Sequence, residues 1–220
     1  MKKSIILLLA LTLCLGATKA QTRKFSTYYY QRATLFEKMT TKNNGVIFIG
    51  DSITDGGEWC TLFNNSSILN FGISGDGTNG VLARIGTAAR LTPKKIFLMI
   101  GINDLAGGMS PDTIAKNIEK ITDELKTKSP RTTVYIQSVL PVNASFKMFN
   151  NHVSKGSQII SLNELIKSIC ERKGYVFIDL YSAFKQPDSD LLNTKYTNDG
   201  LHLLGDGYLL WSSLIKKYVK

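Results

Sequence analysis

The chain has 220 residues, 43% of them hydrophobic and 20% charged, with three cysteines, two histidines and a formal net charge of +10. This composition excludes a disordered chain and a disulfide scaffold, and it supplies enough apolar material for one sizeable core. The basic residues are scattered in runs no longer than two, so no nucleic-acid partner is expected.

Residues 1–20 read as a secretory leader. Lys2 and Lys3 precede an apolar run over 5–15, and small residues follow before Ala20-Gln21. A run of that length is too short to span a bilayer. Leu13 is bulky where lipoprotein processing at Cys14 wants a small residue. No stable membrane anchor is therefore expected, and residues 21–220 form one exported domain, periplasmic or extracellular. Losing Lys2, Lys3 and Lys19 lowers the net charge to +7. Export permits a disulfide between Cys60 and Cys170. A buried free thiol suits Cys170 equally, because it lies on the apolar face of a predicted helix.

The first element of the mature chain is a helix over 25–39, where Phe25, Tyr29, Ala33, Phe36 and Met39 recur every three or four residues. Val46-Ile47-Phe48-Ile49 then reads as a buried strand running straight into Gly50-Asp51-Ser52. A second short strand covers 66–71 and closes in Gly72-Ile73-Ser74-Gly75-Asp76-Gly77, before a helical stripe of Val81, Leu82, Ile85 and Ala88. The third strand, 95–100, ends in Gly101-Ile102-Asn103-Asp104. Ser110-Pro111-Asp112 is a helix start, with a cap, a proline in the first turn and an acid near the positive dipole end. A fourth strand is expected over 132–139, stopped by Pro141. A helix through Ile159 to Ile169 ends at Gly174, a fifth strand covers 175–179 and a last helix covers 205–218. Strands and helices alternate and the strands are nearly all apolar. That pattern predicts a parallel sheet covered on both faces, a three-layer α/β/α domain.

Parallel strands end on one edge, where sites of open α/β folds are built. Gly50-Asp51-Ser52, Gly75-Asp76 and Gly101-Ile102-Asn103-Asp104 converge there. A serine hydroxyl is a poor nucleophile until a base takes its proton. The mature chain offers only His152 and His202. His202 lies three residues after Asp199 with Gly200 between them, so a carboxylate can hold one ring nitrogen while the other faces Ser52. His152 falls in an irregular polar stretch and is expected at the surface. Asn103 can offer a side-chain amide to an oxyanion, and Gly75 and Ser52 can offer backbone N–H groups. Taken singly, each cluster reads as well as a turn or a helix cap; the chemical reading rests on all of them arriving in this order at strand ends.

In these four blocks the sequence resembles the SGNH hydrolases, also called the GDSL esterases and lipases. The blocks are Gly50-Asp51-Ser52-Ile53-Thr54, Asn70-Phe71-Gly72-Ile73-Ser74-Gly75-Asp76, Gly101-Ile102-Asn103-Asp104 and Asp199-Gly200-Leu201-His202. The unbroken second block and Ser138-Val139-Leu140-Pro141-Val142 resemble a compact branch that includes platelet-activating-factor acetylhydrolase catalytic subunits and bacterial carbohydrate O-acetylesterases. The resemblance implies a flavodoxin-like fold with five parallel strands. It also implies Ser52 as nucleophile, His202 as base, Asp199 as its orienter, and an oxyanion hole of Ser52, Gly75 and Asn103. The Gly-x-Ser-x-Gly elbow of the larger α/β-hydrolase fold is absent.

No lid or long apolar stretch is apparent for an acyl tunnel. A short-chain esterase acting on acetyl groups of carbohydrates is therefore expected, with a small acyl ester or acetylated glycan as substrate. A lysophospholipase or thioesterase with the same triad and a catalytically inactive glycan-binding module are the alternatives. Two histidines without ligand spacing make a poor metal site, so no metal or cofactor is expected. Asp51, Asp76 and Asp104 are expected to brace the loops around the nucleophile. Trp59 and Tyr196 could line the mouth or pack in the core. Asn64-Asn65-Ser66-Ser67 and Asn143-Ala144-Ser145 contain glycosylation sequons. The sequence implies no particular oligomeric state.

Overall fold

The computed structural model describes residues 24–40 and 45–220; the leader reading over 1–20, Cys14 included, lies outside the described residues. Five parallel strands form one sheet in the order β2-β1-β3-β4-β5. They are β1 (Val46–Gly50), β2 (Ile68–Gly72), β3 (Lys95–Met99), β4 (Thr133–Gln137) and β5 (Val176–Ile178). The order is that of a flavodoxin-like doubly wound sheet, as the resemblance implies. One face carries α1 (Thr27–Lys38), α4 (Thr78–Arg90), α6 (Pro111–Lys128) and α8 (Gly156–Lys173), each packed on the next. The other carries α3 (Trp59–Phe63) and α10 (Gly205–Val219). Four short helices stand among the connections: α2 (Ser52–Asp55), α5 (Ile102–Ala106), α7 (Asn150–Val153) and α9 (Tyr181–Phe184).

Alternation along the strands decides what each face buries. Phe48, Phe97 and Tyr135 share one register across β1, β3 and β4, and their rings stack at 4.9 and 4.7 Å. Trp59 stacks on Phe48 at 4.2 Å, Trp211 of α10 meets Trp59 edge-on at 4.8 Å, and both indoles are fully buried. Each spends its one donor inside, Trp59 on the Thr54 carbonyl and Trp211 on Gln137 Oε1. Trp59 is therefore a core residue and not part of a mouth. Tyr196 is half-buried, its ring set edge-on against Phe184.

Several boundaries shift for identifiable reasons. Past Gln137 the Ser138 N–H still reaches the Ile178 carbonyl at 3.0 Å, and the ladder ends at Val139, which Asn163 of α8 takes over, accepting from its N–H at 2.8 Å and donating to its carbonyl at 2.9 Å. Strand β2 starts late because the Asn65 side chain accepts from Ser67 N–H and turns the preceding residues. Cys60 and Cys170 are both free thiols, one exposed and one buried. Asn143, a sequon position, is buried and donates to the Leu192 carbonyl, out of reach of a glycosylating enzyme. Among the described residues no helix is long and apolar enough to cross a membrane.

Candidate active site

The sheet register gathers the polar clusters. Gly50 pairs with Gly72 on one side and Met99 on the other. Ser52, Gly75 and Asn103 thus leave three neighbouring strands within a few residues of the same edge. The Gly50 carbonyl accepts from the Ile73 N–H at 3.1 Å and fastens the second loop to the first.

Ser52 is the first residue of α2, half-buried, with Asp51 as the cap accepting from the Ile53 N–H at 3.0 Å. The helix is a single turn, so it supplies aligned N–H groups rather than a sizeable macrodipole. Asn70 explains how so short a helix is held. Its Nδ2 lies 2.9–3.1 Å from the carbonyls of Thr54, Asp55 and Gly57, at the end of the turn where carbonyls lack a full set of helical partners. Its Oδ1 accepts from the Gly72 N–H. From the far side, the Tyr208 hydroxyl of α10 donates to the Ile53 carbonyl at 2.9 Å.

Ser52 Oγ lies 3.0 Å from His202 Nε2, and His202 Nδ1 lies 2.7 Å from Asp199 Oδ2. A carboxylate oxygen only accepts, so the ring proton sits on Nδ1 and Nε2 is free to accept from the serine hydroxyl. Asp199 spends its other oxygen on the Leu201 and His202 N–H groups, both at 2.8 Å, which locks the carboxylate to the turn that carries the imidazole. Gly200 makes that turn possible. It adopts φ +83°, and a Cβ there would stand 2.2 Å from the Asn143 carbonyl oxygen. Burial alone would raise the Asp199 carboxyl. The hydrogen bonds from the His202 ring and the two backbone N–H groups outweigh it and hold the group below its ordinary value. Ser52, His202 and Asp199 thus stand in one hydrogen-bonded line, a geometry that can activate a hydroxyl for acyl transfer.

The surrounding acids have distinct partners. Asp104 accepts from the Thr78 N–H at 2.9 and 3.0 Å and from its hydroxyl at 2.6 Å, capping α4 across the loop. Asp76 Oδ1 accepts from the Gly77 N–H, while Oδ2 meets Arg84 at 2.9 Å. Arg84 also donates to the Phe71 and Gly50 carbonyls, tying the ends of β2 and β1 to the loop after Gly75. Burial pushes Asp76 up and Arg84 down from their ordinary values, and their contact opposes both shifts. Among the described residues no cation pairs with Asp51. Burial, reinforced by the charges of Asp76 and Asp104, pushes it up to about 7 against the Ile53 hydrogen bond.

Gly75 adopts φ +77° and lines a cavity of about 280 Å³ together with Asn103, Asn79, Lys24, Phe25 and Tyr29. Asn103 donates from Nδ2 to the Asp76 carbonyl at 2.8 Å. Its Oδ1 is 2.9 Å from Nε2 of His152. The expectation that His152 is a surface residue is thus corrected: it is half-buried at the site, because α7 packs on α5 and carries the ring to Asn103. Phe149, at the head of α7, was not singled out from sequence. Its ring stands edge-on to His202 at 5.0 Å and to His152 at 6.0 Å, and 44% of the residue is exposed. Arg84 was missed as well. Its signal was a cation placed on the apolar stripe of Val81, Ile85 and Ala88. Among the described residues no three His, Cys, Asp or Glu side chains cluster as metal ligands.

Residues 48–210 match the GDSL-like lipase/acylhydrolase family. The human platelet-activating factor acetylhydrolase IB subunit alpha1 is 32% identical over 174 residues, covering 76% of this chain and 71% of that one. A GDSL-like lipase from Bacteroides thetaiotaomicron superposes with a TM-score of 0.76 at 28% identity, over 87% of this chain and 96% of that one. An acetyl-xylooligosaccharide esterase from Geobacillus stearothermophilus shares the fold at 18% identity and a TM-score of 0.67, over 81% and 95% of the two chains.

Proposed function

The chain belongs to the GDSL-like lipase/acylhydrolase family, and from that premise we propose that it is an exported serine esterase that removes short acyl groups, acetyl first, from a carbohydrate alcohol. The observation that supports this best is the unbroken line Ser52 Oγ, His202 Nε2, His202 Nδ1, Asp199 Oδ2, with steps of 3.0 and 2.7 Å. His202 takes the Ser52 proton as the hydroxyl attacks the ester carbonyl. The carbonyl oxygen becomes an oxyanion beside the N–H groups of Ser52 and Gly75 and the Asn103 amide. Collapse returns the proton from His202 to the departing alcohol and leaves an acyl-Ser52 ester. A water deprotonated by His202 then hydrolyses that ester and restores the serine.

Two observations favour a short acyl group. The cavity beside Gly75 and Asn103 is small and mixes Lys24, Ser26 and Asn79 with Phe25 and Tyr29, a poor berth for a long alkyl chain. The curated relatives are named as acetylhydrolases. The carbohydrate alcohol rests on export and on the exposed Phe149 face beside His202, on which a sugar ring can stack. The same apolar mouth, with Met148 exposed next to Phe149, suits a lysophospholipase or thioesterase as a second reading. Rates on p-nitrophenyl acetate, butyrate and octanoate separate the two. Decline with chain length supports the acetylesterase, and preference for octanoate supports the second reading. Binding of acetylated xylo-oligosaccharide without turnover would instead indicate a glycan-binding module. Export is tested by expressing the full chain in a bacterium and finding the protein outside the cytoplasm, shortened near Ala20.

A further inference from the structure

We infer that His152 is a positioning residue, which holds the Asn103 side-chain amide in the orientation that leaves one amide proton for the oxyanion. The inference rests on the esterase reading above and adds a residue to its machinery. A primary amide carries one acceptor oxygen and two N–H donors. Asn103 lies between two fixed groups, the Asp76 carbonyl at 2.8 Å from Nδ2 and His152 Nε2 at 2.9 Å from Oδ1. The Asp76 carbonyl can only accept, so Nδ2 must face it. Oδ1 can only accept, so Nε2 of His152 must carry a proton. A flipped amide would set oxygen against oxygen at the Asp76 carbonyl, and with the Nε2–H tautomer of His152 it would also set N–H against N–H. The Asp76 carbonyl thus selects the orientation, and His152 in its Nε2–H tautomer is the complementary second anchor.

After these two bonds one Asn103 proton is unspent, and no acceptor among the described residues takes it. Asn103 and Gly75 line one cavity, and on the esterase reading the unspent proton serves the oxyanion. The Asp76 carbonyl alone leaves the amide free to swing about a single contact; His152 supplies the second anchor. The loop is built to hold the imidazole there. Phe149 adopts a left-handed φ of +51° and Lys147 one of +55°, uncommon for residues with a Cβ, and the Phe149 ring lies edge-on to both histidines. Burial and the proximity of His202 hold His152 below its ordinary pKa, which favours a neutral ring with a single proton; the Asn103 contact assigns that proton to Nε2.

The test uses the mature protein, p-nitrophenyl acetate and imidazole nitrogen NMR, which is simple to assign with only two histidines present. His152→Ala is expected to lower kcat roughly ten- to hundredfold, the cost of a misplaced catalytic group, with KM changed by less than about twofold. His152→Gln, which can still donate an amide N–H, is expected to recover most of the loss. Asn103→Ala is expected to cost roughly a hundred- to thousandfold, and adding His152→Ala to it to cost nothing further. In the spectra, His152 is expected as the Nε2–H tautomer in the wild type with its Nε2 proton shifted downfield by the bond to Asn103, a shift lost in Asn103→Leu. Wild-type kcat in His152→Ala, losses that multiply in the double variant, or an Nδ1–H tautomer would each overturn the inference. Absence of ester turnover in the wild type would defeat the esterase reading. The tautomer would then decide the placement of His152 by itself.

Discussion

Replacing Arg84 with methionine perturbs the residue that ties the sheet to the site. The guanidinium is 4% exposed and its partner Asp76 2%, at 2.9 Å. Methionine keeps the aliphatic stem and removes every donor. Asp76 is left buried with the Gly77 N–H as its remaining partner, and the Phe71 and Gly50 carbonyls each lose a donor. Breaking one side of a buried pair costs about 3–5 kcal/mol because the abandoned charge keeps its desolvation penalty. In a domain of this size that lowers Tm by roughly 6–20 °C. Trp59 and Trp211, both fully buried, make intrinsic fluorescence a direct report of the core, so urea melts read the loss as a lower midpoint at unchanged slope. Adding Asp76→Asn removes the stranded charge and is expected to return part of the stability. A loss below about 1 kcal/mol in Arg84→Met, with no recovery in the double variant, would refute the assignment of Arg84 as the tie.

Other consequences follow from the same geometry. Asp51→Asn keeps an oxygen to cap Ile53 but removes a carboxyl whose folded value is about 7 against an ordinary 3.8. In that window the folded wild type binds more protons than the unfolded chain, so its stability falls as pH rises from about 4 to about 7. Urea melts across that range are expected to show a shallower fall in the variant, and an unchanged slope would contradict the buried, cation-free placement. Asp199→Asn frees the His202 proton to move to Nε2, where it blocks acceptance from Ser52; a loss of roughly 10⁴-fold in kcat is expected, and a variant within about tenfold of wild type would contradict the orienting role. Phe149→Ala is expected to raise KM for acetylated xylo-oligosaccharide by roughly two- to tenfold, the worth of one aromatic contact, and to leave KM for p-nitrophenyl acetate nearly unchanged. Equal effects on both esters would remove Phe149 from sugar binding.

What was legible in the sequence was what the chain itself punctuates. Strand-ending Gly50, Gly72 and Gly101 mark the sheet edge, and parallel topology then forces Ser52, Gly75 and Asn103 together without any knowledge of side-chain contacts. Asp199 and His202 are near neighbours in sequence, so their contact is local. His152, Phe149 and Arg84 were hidden for the opposite reason. The first two ride on an irregular loop whose position depends on α7 packing against α5, and no periodicity reports that. Arg84 looked like an ordinary polar break in an amphipathic helix until Asp76 and two carbonyls turned out to face it. Trp59 could be read either way, since an aromatic after a polar loop serves a mouth or a core equally well; the stacking on Phe48 decides for the core.

The most direct test of the proposed chemistry is hydrolysis of p-nitrophenyl acetate by the wild type and by Ser52→Ala, with folding of both checked by tryptophan fluorescence. Turnover in the wild type that disappears in the folded variant is the expected result. Equal turnover in both would contradict Ser52 as the nucleophile.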